Sequence, residues 1–179
     1  MAKLEKGYIQ IYTGNGKGKT TAALGLAFRA VGDGMKVIMV QFLKSNKTGE
    51  LNSSEFYAPN FKIYRFEKRR GFVWTLNDQE KLELKSEIME AYSFVKEVIK
   101  ERKCDILILD EVMAVIYNNF LEVSMVTDLI DSKPEDMELI LTGRNAPKEL
   151  IERADLVTEM KDIKHYYEKG VAAREGIEY

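Results

Sequence analysis

From Tyr8 to Tyr12 large apolar and polar side chains alternate, and the segment is rich in β-formers, so it predicts a strand. Ala22 to Ala30 repeats apolar residues at helical spacing and predicts a helix, stopped by Gly32-Asp33-Gly34. Lys36 to Leu43 is apolar throughout its middle and reads as a buried strand; Lys44 to Pro59 is polar and reads as a loop. Phe61 to Phe66 alternates again, like a half-exposed strand. Asn77 and Glu80 form the capping pair of a long helix over about Asp78 to Arg102, with Leu82, Ile88, Ala91, Val95 and Ile99 on or near one face. Four consecutive aliphatics between Asp105 and Asp110-Glu111 predict a central parallel strand. Short helices follow over Val112–Leu121 and Ser124–Ser132, then a strand over Glu138–Thr142. A helix opened by Pro147 in its first turn runs to about Ala154, and a last strand over Asp155–Met160 leads to a tail from Lys164. Strands alternating with helices predict an α/β fold, a mostly parallel sheet with helices on both faces. Right-handed crossovers would put the loops after its strands along one edge.

Composition narrows the class without changing this picture. The 179 residues suit one domain over 1–179, with 45% apolar and 31% charged residues. A net charge of −2 argues against a non-specific nucleic-acid binder, Lys68-Arg69-Arg70 being a local exception. No apolar run approaches bilayer length and the N-terminus lacks a secretory core, so the expected location is cytoplasmic, away from membranes. Cys104 is the sole cysteine, which precludes an internal disulfide; it is expected to pack beside a strand, without chemistry. Neither repeats nor a Pro-rich linker divide the chain.

Candidate chemistry concentrates at the first strand-to-helix turn, Gly14-Asn15-Gly16-Lys17-Gly18-Lys19-Thr20-Thr21. Glycines there let a ligand approach main-chain N–H groups, which together with the helix N-terminus cradle a polyphosphate. Lys19 can reach phosphate oxygens and the Thr20 hydroxyl can meet Mg²⁺. The strict pattern places its first glycine where this chain has Thr13, so the loop is a variant; the plain alternative is a glycine-rich linker. Strand, Gly-Lys-Thr and helix in that order point to a P-loop NTPase (RecA-like) architecture binding a nucleoside triphosphate. Asp110 and Glu111 stand at a strand end, where such proteins hold the metal shell. Asp110 is the leading metal group, while Glu111 could bind metal, position substrate or activate water. Lys44, just past a strand, reads either as a solvated charge or as a ligand contact. Phe72 and Trp74 read either as packing under a loop or as a functional pair. His165, the only histidine, reads as a structural or surface residue.

Taken together these motifs resemble the P-loop type of ATP:corrinoid adenosyltransferase. The resemblance rests on Tyr12–Ala23, Val40-Gln-Phe-Leu-Lys44, Gly71-Phe-Val-Trp74, Leu109-Asp-Glu111 and Leu141-Thr-Gly-Arg144. Ala154–Glu159, Lys164-His165 and Gly176-Ile-Glu-Tyr179 extend it over essentially the whole chain from Gly7. It implies transfer of the 5′-deoxyadenosyl group of ATP to Co(I) of cobalamin or cob(I)yrinic acid a,c-diamide, with release of tripolyphosphate. It further implies Mg²⁺ or Mn²⁺, a flavodoxin-like or flavin reductant, a homodimer, and ATP seated in reverse along the loop. Gly14 to Thr21 would bind ATP, with Arg144 as a further phosphate contact. Thr20, Asp110 and Glu111 would form the metal shell. Lys19, Phe72 and Trp74 would serve catalysis, the two aromatics as a wedge that displaces the lower axial ligand of Co(II). Only Met1–Lys6 precede the first motif residue, where better-known members carry a longer covering segment. The site is therefore expected to be more open or to be covered from the partner subunit. Thr75-Leu76 also replaces a commoner polar pair after the wedge, so a different loop closure is expected. Competing readings are a P-loop ATPase or small nucleoside kinase using Glu111, and a non-catalytic ATP-dependent switch.

Overall fold

Alternate residues along the inner strands belong to two separate apolar clusters, one on each face of a single sheet. In the computed structural model, which describes residues 4–179, the strands are β1 (Ile9–Thr13), β2 (Val37–Gln41), β3 (Phe61–Tyr64), β4 (Ile106–Asp110), β5 (Glu138–Thr142) and β6 (Leu156–Glu159). All pair in parallel, in the order β3-β2-β4-β5-β1-β6. Every residue of β2, β4 and β5 is buried, as expected of central parallel strands. One face sends Val37, Met39, Ile106, Ile108 and Ile140 against Ala23, Ala27 and Ala30 of α1 (Lys19–Gly32), whose small side chains let helix and sheet approach closely. The other sends Ile38, Val40, Leu107, Leu109, Leu139 and Leu141 into the larger cluster. That cluster also contains residues of α3 (Asp78–Lys100), α4 (Val112–Tyr117), α5 (Val123–Asp131) and α6 (Lys148–Arg153).

The six expected strands are all present: Glu138–Thr142 keeps its bounds, the first is shifted by one residue to Ile9–Thr13, and the other four are shortened by two or three residues. Asn77 caps α3 through both halves of a capping box, its side chain accepting from Glu80 N–H and Glu80 accepting from Asn77 N–H, each at 2.9 Å. Three local expectations are corrected. The polar stretch Lys44–Pro59 contains α2 (Gly49–Glu55), a helix with no apolar period to announce it. Leu82 is 64% exposed, because the buried face of α3 runs through Leu84, Ile88, Ala91, Val95 and Ile99, out of phase with position 82. Pro147 is the N-cap of α6, extended at ψ 145°, and lies outside its first turn. Cys104 is buried as expected, and burial pushes its thiol up to about 12, which keeps it inert. Among the described residues no helix is long and apolar enough to cross a membrane. Met1–Lys3, half of the short leading segment noted above, lie outside the described residues.

Because every strand is parallel, six chain segments leave the sheet at the same edge: Gly14–Gly18, the run after Gln41, the run after Tyr64, Glu111, Gly143-Arg144, and the tail after Glu159. One cavity lies among them, lined by parts of all six.

Candidate active site

Gly14 sits at φ +101°, and a Cβ there would fall 2.4 Å from the Met160 carbonyl oxygen, so no other residue fits the turn. Gly16 N–H donates to that same oxygen at 2.7 Å, which ties the loop to the end of β6. Thr13, where the strict motif has glycine, ends β1 with its hydroxyl accepting from Ala146 N–H at 3.3 Å; the variant position braces the loop after β5. Gly18 caps α1 without a side-chain hydrogen bond, and the first turn carries no acidic residue. The main-chain donors of that turn are therefore free of side-chain caps and face the cavity. Lys19 curls back onto the loop, donating to the carbonyls of Gly14 at 2.7 Å and Gly16 at 2.9 Å. Burial lowers its pKa, Glu111 and Asp110 oppose the shift, and Arg144 adds to it. An ammonium held only by carbonyls, in a donor-rich cradle, is arranged to accept an anion.

Asp110 is completely buried and engages four partners. Its Oδ1 accepts from the hydroxyls of Thr20 (2.8 Å) and Thr142 (2.7 Å), its Oδ2 from Gln41 Nε2 (3.1 Å) and Lys44 Nζ (2.7 Å). Since β5 lies between β1 and β4, Thr142 at its end joins the two motifs, and its hydroxyl also accepts from Glu111 N–H at 2.9 Å. Glu111 follows at φ +62°, a left-handed conformation that bends the chain into α4 and leaves the side chain on the cavity. Burial first, and Asp110 second, raise its carboxyl pKa above the ordinary value. A divalent ion fits this corner: hard oxygen donors from Thr20 and Asp110 converge there, with Glu111 beside them, and the Lys44 ammonium already stands between the first two as a cation. Among the described residues there is no cluster of three His, Cys, Asp or Glu side chains, so water or phosphate oxygens would complete the shell.

Phe72 and Trp74 depart from ordinary packing. They are 67% and 78% exposed, stacked at 4.5 Å between ring centroids with 4° between planes, on the wall of the same cavity. Their exposure excludes the core-packing reading of this pair. The loop is braced from below. The Arg70 guanidinium forks onto Glu87 of α3 and reaches Glu83 at 3.2 Å, while Lys68 N–H donates to Glu87 at 3.3 Å. The local basic run is therefore partly spent internally.

The remaining sequence candidates divide by placement. Asn15, Thr21 and Arg144 are exposed on the cavity wall, and the position before Arg144 requires Gly143, because its φ is +144° and a Cβ would also meet Met113 at 2.7 Å. The Lys17 side chain points to the tail instead, donating to Glu178 (2.8 Å), Tyr166 Oη (3.1 Å) and the Ile177 carbonyl (3.3 Å). Glu178 also holds Arg174 and the Tyr166 hydroxyl, and this set of donors depresses its pKa far below the usual range. His165 lines the cavity with its Nδ1 accepting from Tyr167 N–H at 3.1 Å. Sequence reasoning missed Thr142, the Arg70–Glu87 brace and the Gln41–Arg65 pair, where Arg65 Nε donates to Gln41 Oε1 at 2.8 Å. Only Thr142 had a signal, a hydroxyl residue ending a buried strand next to the two motifs.

Comparison with known proteins agrees with this geometry. The family described as ATP:corrinoid adenosyltransferase BtuR/CobO/CobP matches residues 5–179. The corrinoid adenosyltransferase of Escherichia coli (strain K12) is 35% identical, over 99% of this chain and 88% of that protein. The one from Sinorhizobium sp is 36% identical, over 98% and 81%. Corrinoid adenosyltransferase CobA of Salmonella typhimurium is 34% identical, over 99% and 88%. Among solved structures, the flagellar accessory protein FlaH from Methanocaldococcus jannaschii superposes with a TM-score of 0.57 at 17% identity, covering 87% of this chain and 72% of that one. The KaiC-like protein PH0186 from Pyrococcus horikoshii OT3 gives 0.54 at 18%, covering 86% and 73%. At such identities these two bear on the fold alone, and they share its P-loop, RecA-like architecture.

Proposed function

The chain belongs to the ATP:corrinoid adenosyltransferase family, and we propose that it transfers the 5′-deoxyadenosyl group of ATP to Co(I) of cobalamin or cob(I)yrinic acid a,c-diamide, releasing tripolyphosphate. The observation that carries the finer reading is the stacked, exposed Phe72–Trp74 pair on the cavity that also holds the Gly-Lys-Thr loop. A phosphohydrolase needs no apolar wall of this size beside its triphosphate, whereas a flat macrocycle does.

The reaction is a displacement at C5′. The Co(I) electron pair forms the Co–C bond as C5′–O5′ breaks, and the leaving pair stays on the tripolyphosphate oxygen. No proton is removed, so no general base is required. The protein must align the reactants and offset charge growing on the leaving group. Main-chain donors of Gly14–Thr21 hold the triphosphate, and Lys19 exchanges its two carbonyls for phosphate oxygens. Arg144, on the cavity wall, adds a second positive charge. Thr20, Asp110 and Glu111 are the groups that would hold Mg²⁺ or Mn²⁺, whose charge would further favour the leaving triphosphate. Phe72 and Trp74 would displace the lower axial ligand of Co(II) and keep water from the vacated position, which lets a flavin or flavodoxin-like reductant make Co(I). A homodimer in the cytoplasm is part of the same reading; the edge strand β6, with Leu156 44% and Val157 41% exposed, leaves a face that a second copy could cover.

The product decides the reaction class. Anaerobic mixing with ATP, MgCl₂ and chemically prepared Co(I) corrinoid should yield tripolyphosphate together with the alkylcobalt absorbance spectrum. ADP and phosphate with an unchanged corrinoid spectrum would overturn the proposal.

A further inference from the structure

A buried carboxylate needs a counter-charge, and in Asp110 that charge comes from the end of a neighbouring strand. Lys44 Nζ lies 2.7 Å from Asp110 Oδ2 and 3.3 Å from Thr20 Oγ1, between the two oxygens a divalent ion would use. The backbone is bent to place it there. Phe42 N–H donates to the Asp110 carbonyl at 2.9 Å, and Leu43 then adopts φ +54°, a left-handed conformation unusual for leucine. The Leu43 N–H is held at 3.1 Å by Glu67, whose other carboxyl oxygen is buried with no hydrogen-bond partner among the described residues. Strain and an orphaned oxygen are tolerated around one outcome, an ammonium on the Thr20–Asp110 seat. The Lys44 side chain is still 24% exposed on the cavity, so it can leave without unfolding anything around it.

We propose that Lys44 is a built-in counter-cation that closes the Thr20–Asp110 seat to free divalent ions and yields it only when metal arrives with nucleotide. In the ligand-free protein the ammonium satisfies Asp110. Metal alone, with only water to complete its shell, would have to expel a lysine; metal carried by triphosphate brings charged oxygens as well, and the displaced ammonium gains phosphate oxygens in the same cavity. Lys44 is on this account a positioning residue for the metal, and the order of loading is written into the fold.

The inference rests on Gly14–Thr21 as a nucleotide site but not on corrinoid transfer, and its test contains no corrinoid. Binding of Mn²⁺ alone is titrated by paramagnetic resonance in the parent, Lys44→Met, Lys44→Gln and Lys44→Arg, with thermal melts in MgCl₂ and in MgCl₂ plus ATP. The parent and Lys44→Arg should show no Mn²⁺ binding at millimolar concentration. Lys44→Met or Lys44→Gln, whichever folds, should bind Mn²⁺ at least tenfold more tightly than the parent. The same variant should melt below the parent without ligand, regain part of that deficit in MgCl₂ alone, and regain the rest in MgCl₂ plus ATP. Equal Mn²⁺ affinity in the parent and the uncharged variants would overturn the proposal, as would a melting deficit that MgCl₂ leaves unchanged. If ATP with MgCl₂ fails to raise the parent's melting temperature, the nucleotide reading falls, and the Mn²⁺ titration still decides Lys44.

Discussion

Lys19 and Glu111 are held in states that suit a ligand better than they suit the empty protein. The Lys19 ammonium hydrogen-bonds the carbonyls of Gly14 and Gly16 and is not among the hydrophobic residues of either cluster. Lys19→Ala should therefore keep the circular dichroism spectrum and lose about 2–4 kcal/mol of transition-state stabilisation, read as a fall in kcat/KM of roughly thirtyfold to several hundredfold. Near-normal rates with an intact fold would remove it from the phosphate cradle. For Glu111 the sign follows from its raised folded-state pKa. The ionised form is disfavoured by folding, so stability from this group is greatest at low pH and is lost as pH rises through that raised value. Glu111→Gln abolishes the penalty and should raise the ligand-free melting temperature at neutral pH, at about 2–4 °C per kcal/mol for a chain of this size, while slowing transfer. A lower melting temperature would contradict the burial argument.

At the scale of elements, what was legible in the sequence was whatever depends on near neighbours. Gly14–Thr21 carries its own order of strand, turn and helix, and Asn77 with Glu80 spells a cap within four residues. Helix α2 was illegible because Gly49–Glu55 has no apolar period; Arg65 reaches over from beyond β3 to Thr48, at 2.6 Å, and to Glu50. The brace of the aromatic loop was hidden for the same reason, since Arg70 and Glu87 are 17 positions apart on different elements. Lys44 could be placed at a strand end, but its partner Asp110 is 66 positions away. The brace makes its own prediction. Arg70 holds the buried Glu87 carboxyl below its ordinary pKa, so its stabilisation is full above the normal carboxylate range and is lost as pH falls through the lowered value. The parent's melting temperature should fall on acidification below about pH 4.5, and Glu87→Gln should fall less steeply over that interval. Parallel pH profiles would show that the pair contributes nothing to stability.

The whole molecule owes its site to topology. With all six strands parallel, one edge of the sheet collects the phosphate loop, the Asp110–Glu111 corner, Lys44, Arg144, the tail and the loop bearing Phe72 and Trp74. The central claim is that this edge divides its labour: the first turn of α1 serves ATP, and the two aromatics serve the redox state of the cobalt. The division is tested by assaying Phe72→Ala and Trp74→Ala twice, once with a mild flavin reductant acting on bound Co(II) and once with Co(I) prepared chemically, beside a thermal melt. Both rings are largely exposed, so the melting temperature should stay within a degree or two of the parent. Activity should collapse in the flavin assay and recover most of its rate when Co(I) is supplied. Equal losses in both assays, with or without a lowered melting temperature, would contradict the account.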